Sequence, residues 1–534
     1  MSIEENYTKS VSNSHRKKFA QYFTPEPIAQ LMVDWISENH KFSTLLEPAF
    51  GLGIFSRLIF KKRQGIKITC FDIDPVIYNT AKENFKNHSE VKLYLEDYLI
   101  NDWDNKYDAI ICNPPYFKFH DYENKSIIKK FRSALNLNLS GFTNIYTLFL
   151  LKAIYQLNKK GRAAFIIPSE FLNSDYGVQI KDYLLKSNTL RHIIIFDFKE
   201  NVFENVLTTS AIIMLAKDSN DNIVHFTTIR KANQLSKINT IIQNYPHISG
   251  ETTIKVTDLN PKIKWRNYYQ AQQSQKYQNI IPFKNVAKVV RGIATGANEY
   301  FVFNETKALK YNIDKKNLLP CITKSKDVNK PFFTEEDFEK LKLNNSNIYL
   351  INAGKYPSDK HILKYLEMGE AEDIHKRYLT SKRNPWHLLE KRPPSPIWVG
   401  VFNRNGIKFI RNEAGISNLT TFHCIYLVDD IFYNIDVDLL FAYLLTDTAK
   451  EIFNDNRREY GNGLNKFEPN DLNNAFILDL SLLSENNVSE ITRLYINYRE
   501  SILIGKDDVS YIEKIDEIFK LKYRIGYNTE SSDI

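Results

Sequence analysis

Asn113-Pro114-Pro115-Tyr116, directly after the apolar run Tyr107 to Cys112, is the stretch whose residue types best fit a chemical step. An exocyclic amine on a nucleobase, such as adenine N6, delocalises its lone pair into the ring and is a poor nucleophile. The Asn113 side-chain oxygen and the Pro114 carbonyl can each accept one hydrogen of such an amine. That draws the lone pair out of conjugation and aims it at an electrophilic methyl group. Tyr116 would stack on the base. Pro114 and Pro115 fix φ and remove two backbone donors, so the loop keeps its carbonyls outward. The plain alternative is a Pro-rich loop that merely ends a strand, and the surroundings weigh against it.

Four strands are expected before or at this loop, each ending in polar or glycine residues. Leu45 and Leu46 run into Glu47-Pro48-Ala49-Phe50-Gly51-Leu52-Gly53, where Gly51 and Gly53 would let backbone approach a ligand. A second strand, Ile66 to Phe71, ends in Asp72-Ile73-Asp74-Pro75, whose acid can accept ribose hydroxyls. A third, Val91 to Leu95, ends in Glu96-Asp97-Tyr98, a carboxylate for an adenine amine and a ring for its face. The fourth delivers Asn113. An α/β sheet places its ligand crevice at these carboxyl ends.

In this order of motifs the chain resembles the gamma class of DNA adenine N6-methyltransferases of bacterial restriction-modification systems, the TaqI type. The resemblance implies a Rossmann-like sheet that binds S-adenosylmethionine. It assigns Tyr22 and Thr24, in Gln21-Tyr22-Phe23-Thr24-Pro25, to a motif closing over the cofactor's methionine part. It further assigns Glu47, Ala49 and Phe50 to the first strand-turn motif, Asp72 and Ile73 to the ribose, Asp97 and Tyr98 to the adenine, and Phe149 to the cofactor pocket. Phe203 falls where the family stacks an aromatic on the flipped base, with an ordinary core phenylalanine as the equal alternative.

Composition fits such an enzyme. The 534 residues suffice for two or three domains, and 43% are hydrophobic. A formal net charge of +8 favours a polyanionic partner, although spread basic charge also suits a solvated surface. Cys70, Cys112, Cys321 and Cys424 lack metal-ligand spacing and read as reduced, buried residues. No apolar signal region or membrane span is read from the sequence, and a cytoplasmic monomer is expected.

Residues 1 to 20, with His15-Arg16-Lys17-Lys18, are expected to be a mobile arm. Residues 21 to 245 would form the α/β catalytic domain, its sheet finished by a hairpin. Residues 246 to 280, polar and Asn/Gln-rich, would form a linker. Residues 281 to 534 would form a mixed α+β target-recognition domain closed by helices, including one with Ile512, Ile515, Ile518 and Phe519 at helical spacing. In that half, Lys288 to Glu299 and Tyr460 to Pro469 resemble recurring segments of TaqI-type specificity domains. Seven basic residues and the single acid Glu390 lie between 381 and 411. The expected DNA contacts are Arg291, Arg383, Arg392, Trp398, Arg404, Arg411 and Lys466, with a solvated basic surface as the alternative.

Double-stranded DNA and a separate restriction endonuclease are the expected partners; no nuclease motif is found in this chain. The rival readings are cytosine N4-methylation, methylation of RNA or of a protein glutamine, and a DNA specificity module without catalysis.

Overall fold

A computed structural model describes residues 2–117, 122, 126–137, 139, 144–174, 176–196, 210–218, 222–247, 250–403, 406–428, 435–460 and 464–527. The chain divides into two compact units, one built on residues up to Ala271 and the other from Gln272 onward.

The first unit opens with two helices, α1 (Ile3–Ser10) and α2 (Asn13–Lys18), where a mobile arm was expected. Ser2 caps α1 in a reciprocal box with Glu5, and Ser12 caps α2 through the His15 amide. Tyr7 buries against Leu52 and Ile77, so this segment is anchored. It is followed by α3 (Glu26–Ser37), β1 (Thr44–Glu47), α4 (Ile54–Lys62), β2 (Lys67–Asp72), α5 (Pro75–Asn84), β3 (Val91–Leu95) and β4 (Tyr107–Cys112). Then come α6 (Ile127–Leu135), α7 (Ile145–Gln156), β5 (Leu157–Pro168), α8 (Gly177–Lys186), β6 (Leu190–Phe196), β7 (Ser210–Ala216), β8 (Ile223–Ile229), α9 (Leu235–Gln243) and β9 (Thr252–Lys255).

Among the described residues these strands make one sheet in the order β3-β2-β1-β4-β5-β7-β6-β8-β9. Pairings from β3 to β5 are parallel, and β7 runs antiparallel between β5 and β6 as the expected hairpin, which does not finish the sheet because β8 and β9 extend it beyond β6. The expected α/β methyltransferase sheet is therefore present. Strand order reverses between β1 and β4, which opens a crevice at their carboxyl ends. The strands are apolar on both faces because helices cover both. Leu45, Ala109 and Ile111 pack with α3, α4 and α9, while Leu46, Ile110 and Cys112 pack with α7 and α8.

The linker expected over 246 to 280 is corrected. Thr252–Lys255 hydrogen-bonds to β8 as a ninth strand, and Trp265 is buried in the core with its indole donating to the Asn260 carbonyl. Polar composition misled here because a short edge strand needs few apolar residues.

The second unit holds a five-stranded sheet in the order Ala287–Arg291, Phe422–Leu427, Ile397–Gly400, Phe409–Asn412 and Phe332–Phe333. Helices Val437–Leu445, Asp447–Asn454, Glu485–Leu503 and Ser510–Tyr523 contribute to the apolar cluster on which this sheet also packs. The expected terminal helix is Ser510–Tyr523, with Ile515 and Phe519 buried. The four cysteines are buried and unpaired, and no described helix is long and apolar enough to cross a membrane.

Gly53 has φ +72, and a Cβ there would lie 2.5 Å from Phe85 and 2.6 Å from Phe50. Its role is to let two rings close over the turn, which corrects its assignment as a cofactor contact. Gly53→Ala should destabilise the protein by about 1–3 kcal/mol through strain and overpacking. Urea denaturation checks this; a midpoint equal to the parent's would contradict it.

Candidate active site

The reversal in strand order produces a cleft, partly open to solvent, whose walls come from the carboxyl ends of the first four strands. Ala49, Phe50 and Gly51 line it after β1, Asp72 and Ile73 after β2, Asp97 and Tyr98 after β3, and Asn113 and Pro115 after β4. Phe149 enters from α7, and Tyr22 and Thr24 from the segment ahead of α3. Sequence reasoning thus names twelve of the residues that line the cleft. It misses Glu4, Phe19, Phe117 and Tyr122, which also line the cleft. The Ser2-x-x-Glu5 capping signal could have marked the first helix.

Asn113 is held by its amide. Its Nδ2 donates to the Tyr22 carbonyl at 2.9 Å and to the Thr24 hydroxyl at 3.0 Å, which turns Oδ1 the other way. The Tyr116 hydroxyl lies 2.7 Å from that Oδ1 and 2.9 Å from the Ile166 carbonyl, two acceptors that share one proton. Burial pushes this hydroxyl well above its ordinary pKa, so it remains a donor. The Tyr116 ring runs nearly parallel to that of Tyr22, with centroids 6.2 Å apart, and meets Tyr146 edge-on. Pro114 is buried. Phe203 lies outside the described residues.

The acids differ in environment. Asp72 accepts the Gly51 amide on one oxygen and the Asp74 amide on the other, each at 3.0 Å. It thereby fixes the glycine turn, and burial raises its pKa to about 6. Asp97 accepts the Leu99 amide at 2.9 Å and the Tyr122 hydroxyl. Tyr98 is not a free ring over the cleft: it is 1% exposed, its hydroxyl donates to Gln156 at 2.6 Å, and its ring packs on Phe149. Beneath this loop the buried Lys152 donates to the Tyr98 and Asn101 carbonyls, and desolvation lowers its pKa to about 7. Lys152 was not anticipated, since a lone lysine in an apolar helix carries no distinguishing signal.

Glu47, at the end of β1, is fully buried and set back from the wall. Ser56 donates to its Oε2 at 2.6 Å, whereas Oε1 is buried with no hydrogen-bond partner among the described residues. Desolvation raises its pKa to about 8. A buried carboxylate oxygen aimed at nothing is costly unless protonated or supplied with a cation.

In the second unit the expected DNA contacts stand in different surroundings, and one of them, Trp398, is corrected. Trp398 is 0% exposed and stacks on Phe422 inside the sheet, so it cannot wedge between bases. Arg411 pairs with Asp438 at 2.8 Å and donates to the Pro396 carbonyl. Arg383 donates to the Ala294 and Thr295 carbonyls, and Arg392 to the Arg291 carbonyl and Glu390. Lys466 pairs with Glu468 at 2.5 Å, while Arg291 is exposed. Arg404 and residues 461–463 lie outside the described residues.

A pH prediction follows from Glu47. A carboxyl whose folded pKa exceeds its unfolded value stabilises the fold most at low pH, and this is lost as pH rises through the folded value. Ligand-free parent protein should therefore lose stability between about pH 4.5 and about pH 8 through this group. Glu47→Gln should flatten that slope, most visibly above roughly pH 7, where Asp72, with its pKa raised to about 6, is mostly ionised. Thermal unfolding across pH reads it; parallel slopes for both proteins would refute the assignment.

Comparison with known proteins agrees with this geometry. The N-6 DNA methylase family profile matches residues 3–285, and that of the Type II methyltransferase M.Eco57I C-terminal domain matches residues 263–508. The chain is 56% identical over 523 residues to the Type II methyltransferase M.AccI of Acinetobacter calcoaceticus, covering 98% of this chain and 97% of that one. It is 22% identical to M.HindII of Haemophilus influenzae, over 76% of this chain and 75% of that protein. A cryo-EM structure of the DrdV–DNA complex matches the fold with TM-score 0.52 at 13% identity, covering 84% of this chain but only 55% of that longer one. A family profile over more than half of the chain and relatedness over nearly its whole length lead to one conclusion: the chain belongs to the N-6 DNA methylase family and is a Type II DNA methyltransferase of the restriction-modification kind.

Proposed function

We propose that the protein transfers methyl from S-adenosylmethionine to N6 of an adenine turned out of duplex DNA, protecting sites from a cognate restriction endonuclease. The observation that carries this reading is the orientation of Asn113. With Nδ2 committed to Tyr22 and Thr24, Oδ1 is the group left to accept an amine hydrogen.

The residues present fit the cofactor. Glu47 Oε1 is an unpaired buried carboxylate oxygen suited to an ammonium, Asp72 and Asp97 offer acceptors to ribose and adenine, and Phe50, Ile73 and Phe149 supply apolar walls. When bound, S-adenosylmethionine supplies an electrophilic methyl on a sulfonium. The chain's own part is to position and polarise. Asn113 Oδ1 and the Pro114 carbonyl take the two N6 hydrogens and localise the lone pair on nitrogen. Oδ1 has a second lone pair, so the Tyr116 hydroxyl can remain bonded to it while the amine binds. No strong base is needed before transfer, because the methylated nitrogen is cationic and loses its proton readily. The described cleft lining accordingly contains no His or Lys. Asn rather than Ser at position 113 favours adenine over cytosine. A base in duplex DNA must leave the stack to reach such a cleft. The second unit would hold the duplex and select the sequence, with the exposed Arg291, Lys382 and Lys391 as its phosphate contacts.

Asn113→Ala should lower kcat by about 10²–10³ while S-adenosylmethionine affinity is kept. Nucleoside chromatography of plasmid DNA after incubation should show N6-methyladenine with the parent protein and almost none with the variant. N4-methylcytosine as the product would overturn the adenine reading, and near-normal turnover in the variant would overturn the role of Asn113.

A further inference from the structure

Asp74 stands two residues beyond Asp72, yet it is fully buried and set back from the cleft wall. Its Oδ1 accepts the Val76 amide at 3.0 Å and so caps α5. Its Oδ2 faces the amino-terminal segment. There it meets His15 Nε2 at 2.7 Å, Gln21 Nε2 at 2.5 Å and the Tyr7 hydroxyl at 3.4 Å. Bonds to a carboxylate buried this deeply are stronger than neutral ones and costly to leave unmade. A small apolar cluster supports them: Tyr7 packs with Leu52 of the glycine turn and Ile77 of α5, and meets Phe23 edge-on at 5.7 Å. On its other side the segment ties to α4, through the Glu4–Arg57 ion pair.

This strap does two jobs at once. Glu4 and the stretch Phe19 to Thr24 line the cleft, and the Tyr22 carbonyl and Thr24 hydroxyl hold the Asn113 amide. We propose that Asp74 is a positioning residue that latches the strap of residues 2–24, so that one segment both completes the cofactor cleft and orients Asn113. The strap is then the physical link between donor binding and readiness for transfer: a segment displaced from Asp74 loses its wall contacts and its hold on the amide together. The inference rests on the cofactor reading above, and its test separates the two.

The latch is broken without touching the cleft wall by His15→Ala, and by Asp74→Asn, which can still cap α5 but presents an N–H to a ring of donors. S-adenosylhomocysteine binding is measured by calorimetry and amide exchange over residues 3–18 by mass spectrometry. Each variant should bind at least about tenfold more weakly, exchange faster in α1 and α2 with α5 unchanged, and turn over more slowly even at saturating methyl donor. His15→Gln, which restores an N–H donor, should recover most of the affinity. Parent-like affinity and parent-like exchange in both broken-latch variants would overturn the proposal. So would a loss of melting temperature unaccompanied by any change in affinity or local exchange, because that is what a merely structural contact gives. If the parent itself fails to bind S-adenosylhomocysteine, the cofactor reading falls, and the latch is then decided by exchange over residues 3–18 alone.

Discussion

The amide of Asn113 has two unlike ends, and chemistry at an amine depends on which end faces it. A nitrogen end would repel the hydrogens it needs to grip; an oxygen end accepts them. Two acceptors from one short segment, the Tyr22 carbonyl and the Thr24 hydroxyl, take up Nδ2 and so settle the choice. Everything else in the first unit can be understood as holding those partners in register. The parallel strands bring Asn113 to the crevice beside Gly51, Asp72 holds the glycine turn through its amide contacts, and buried helices on both faces keep the strand ends from shifting.

The cleft is an electrostatic arrangement as much as a shape. Glu47 and Asp72 both have raised pKa values, and for the same cause, desolvation. They differ in what compensates it. Asp72 is met by backbone amides on both oxygens, whereas one oxygen of Glu47 has no partner. Among the described residues one buried oxygen of Glu47, behind the cleft wall, thus lacks a partner, a cost that protonation or a nearby cation would remove.

Much of this was legible in the sequence for a physical reason. Each of β1 to β4 is a short apolar run closed by a chemically distinctive group, and parallel α/β topology forces those groups together, so local patterns suffice. What was not legible depends on pairing over distance. The strap reads as polar because its helices bury little beyond Tyr7, and its anchor, Asp74, lies 59 residues from His15 in the chain. The stretch 381 to 411 has the composition of a phosphate-binding surface. Yet Arg383, Arg392, Lys408 and Arg411 all donate to groups of their own unit, which composition cannot reveal. Trp398 alternates along a strand that is buried on both faces, and an aromatic beside arginines in sequence gives no sign of that. Gly292 and Gly296 likewise serve close packing, against the Leu419 carbonyl and Leu379.

The central claim, that the strap orients the amide of Asn113, is tested most directly at Thr24. Thr24→Val keeps shape and removes one acceptor from Nδ2, while Thr24→Ser keeps the hydroxyl. The quantity to measure is the single-turnover rate of DNA methylation at saturating methyl donor, which excludes donor affinity and product release. The valine variant should be slower by about tenfold, the equivalent of one modest hydrogen bond, and the serine variant close to the parent. Equal rates for valine and parent would contradict the claim, because the amide would then hold its orientation without the strap.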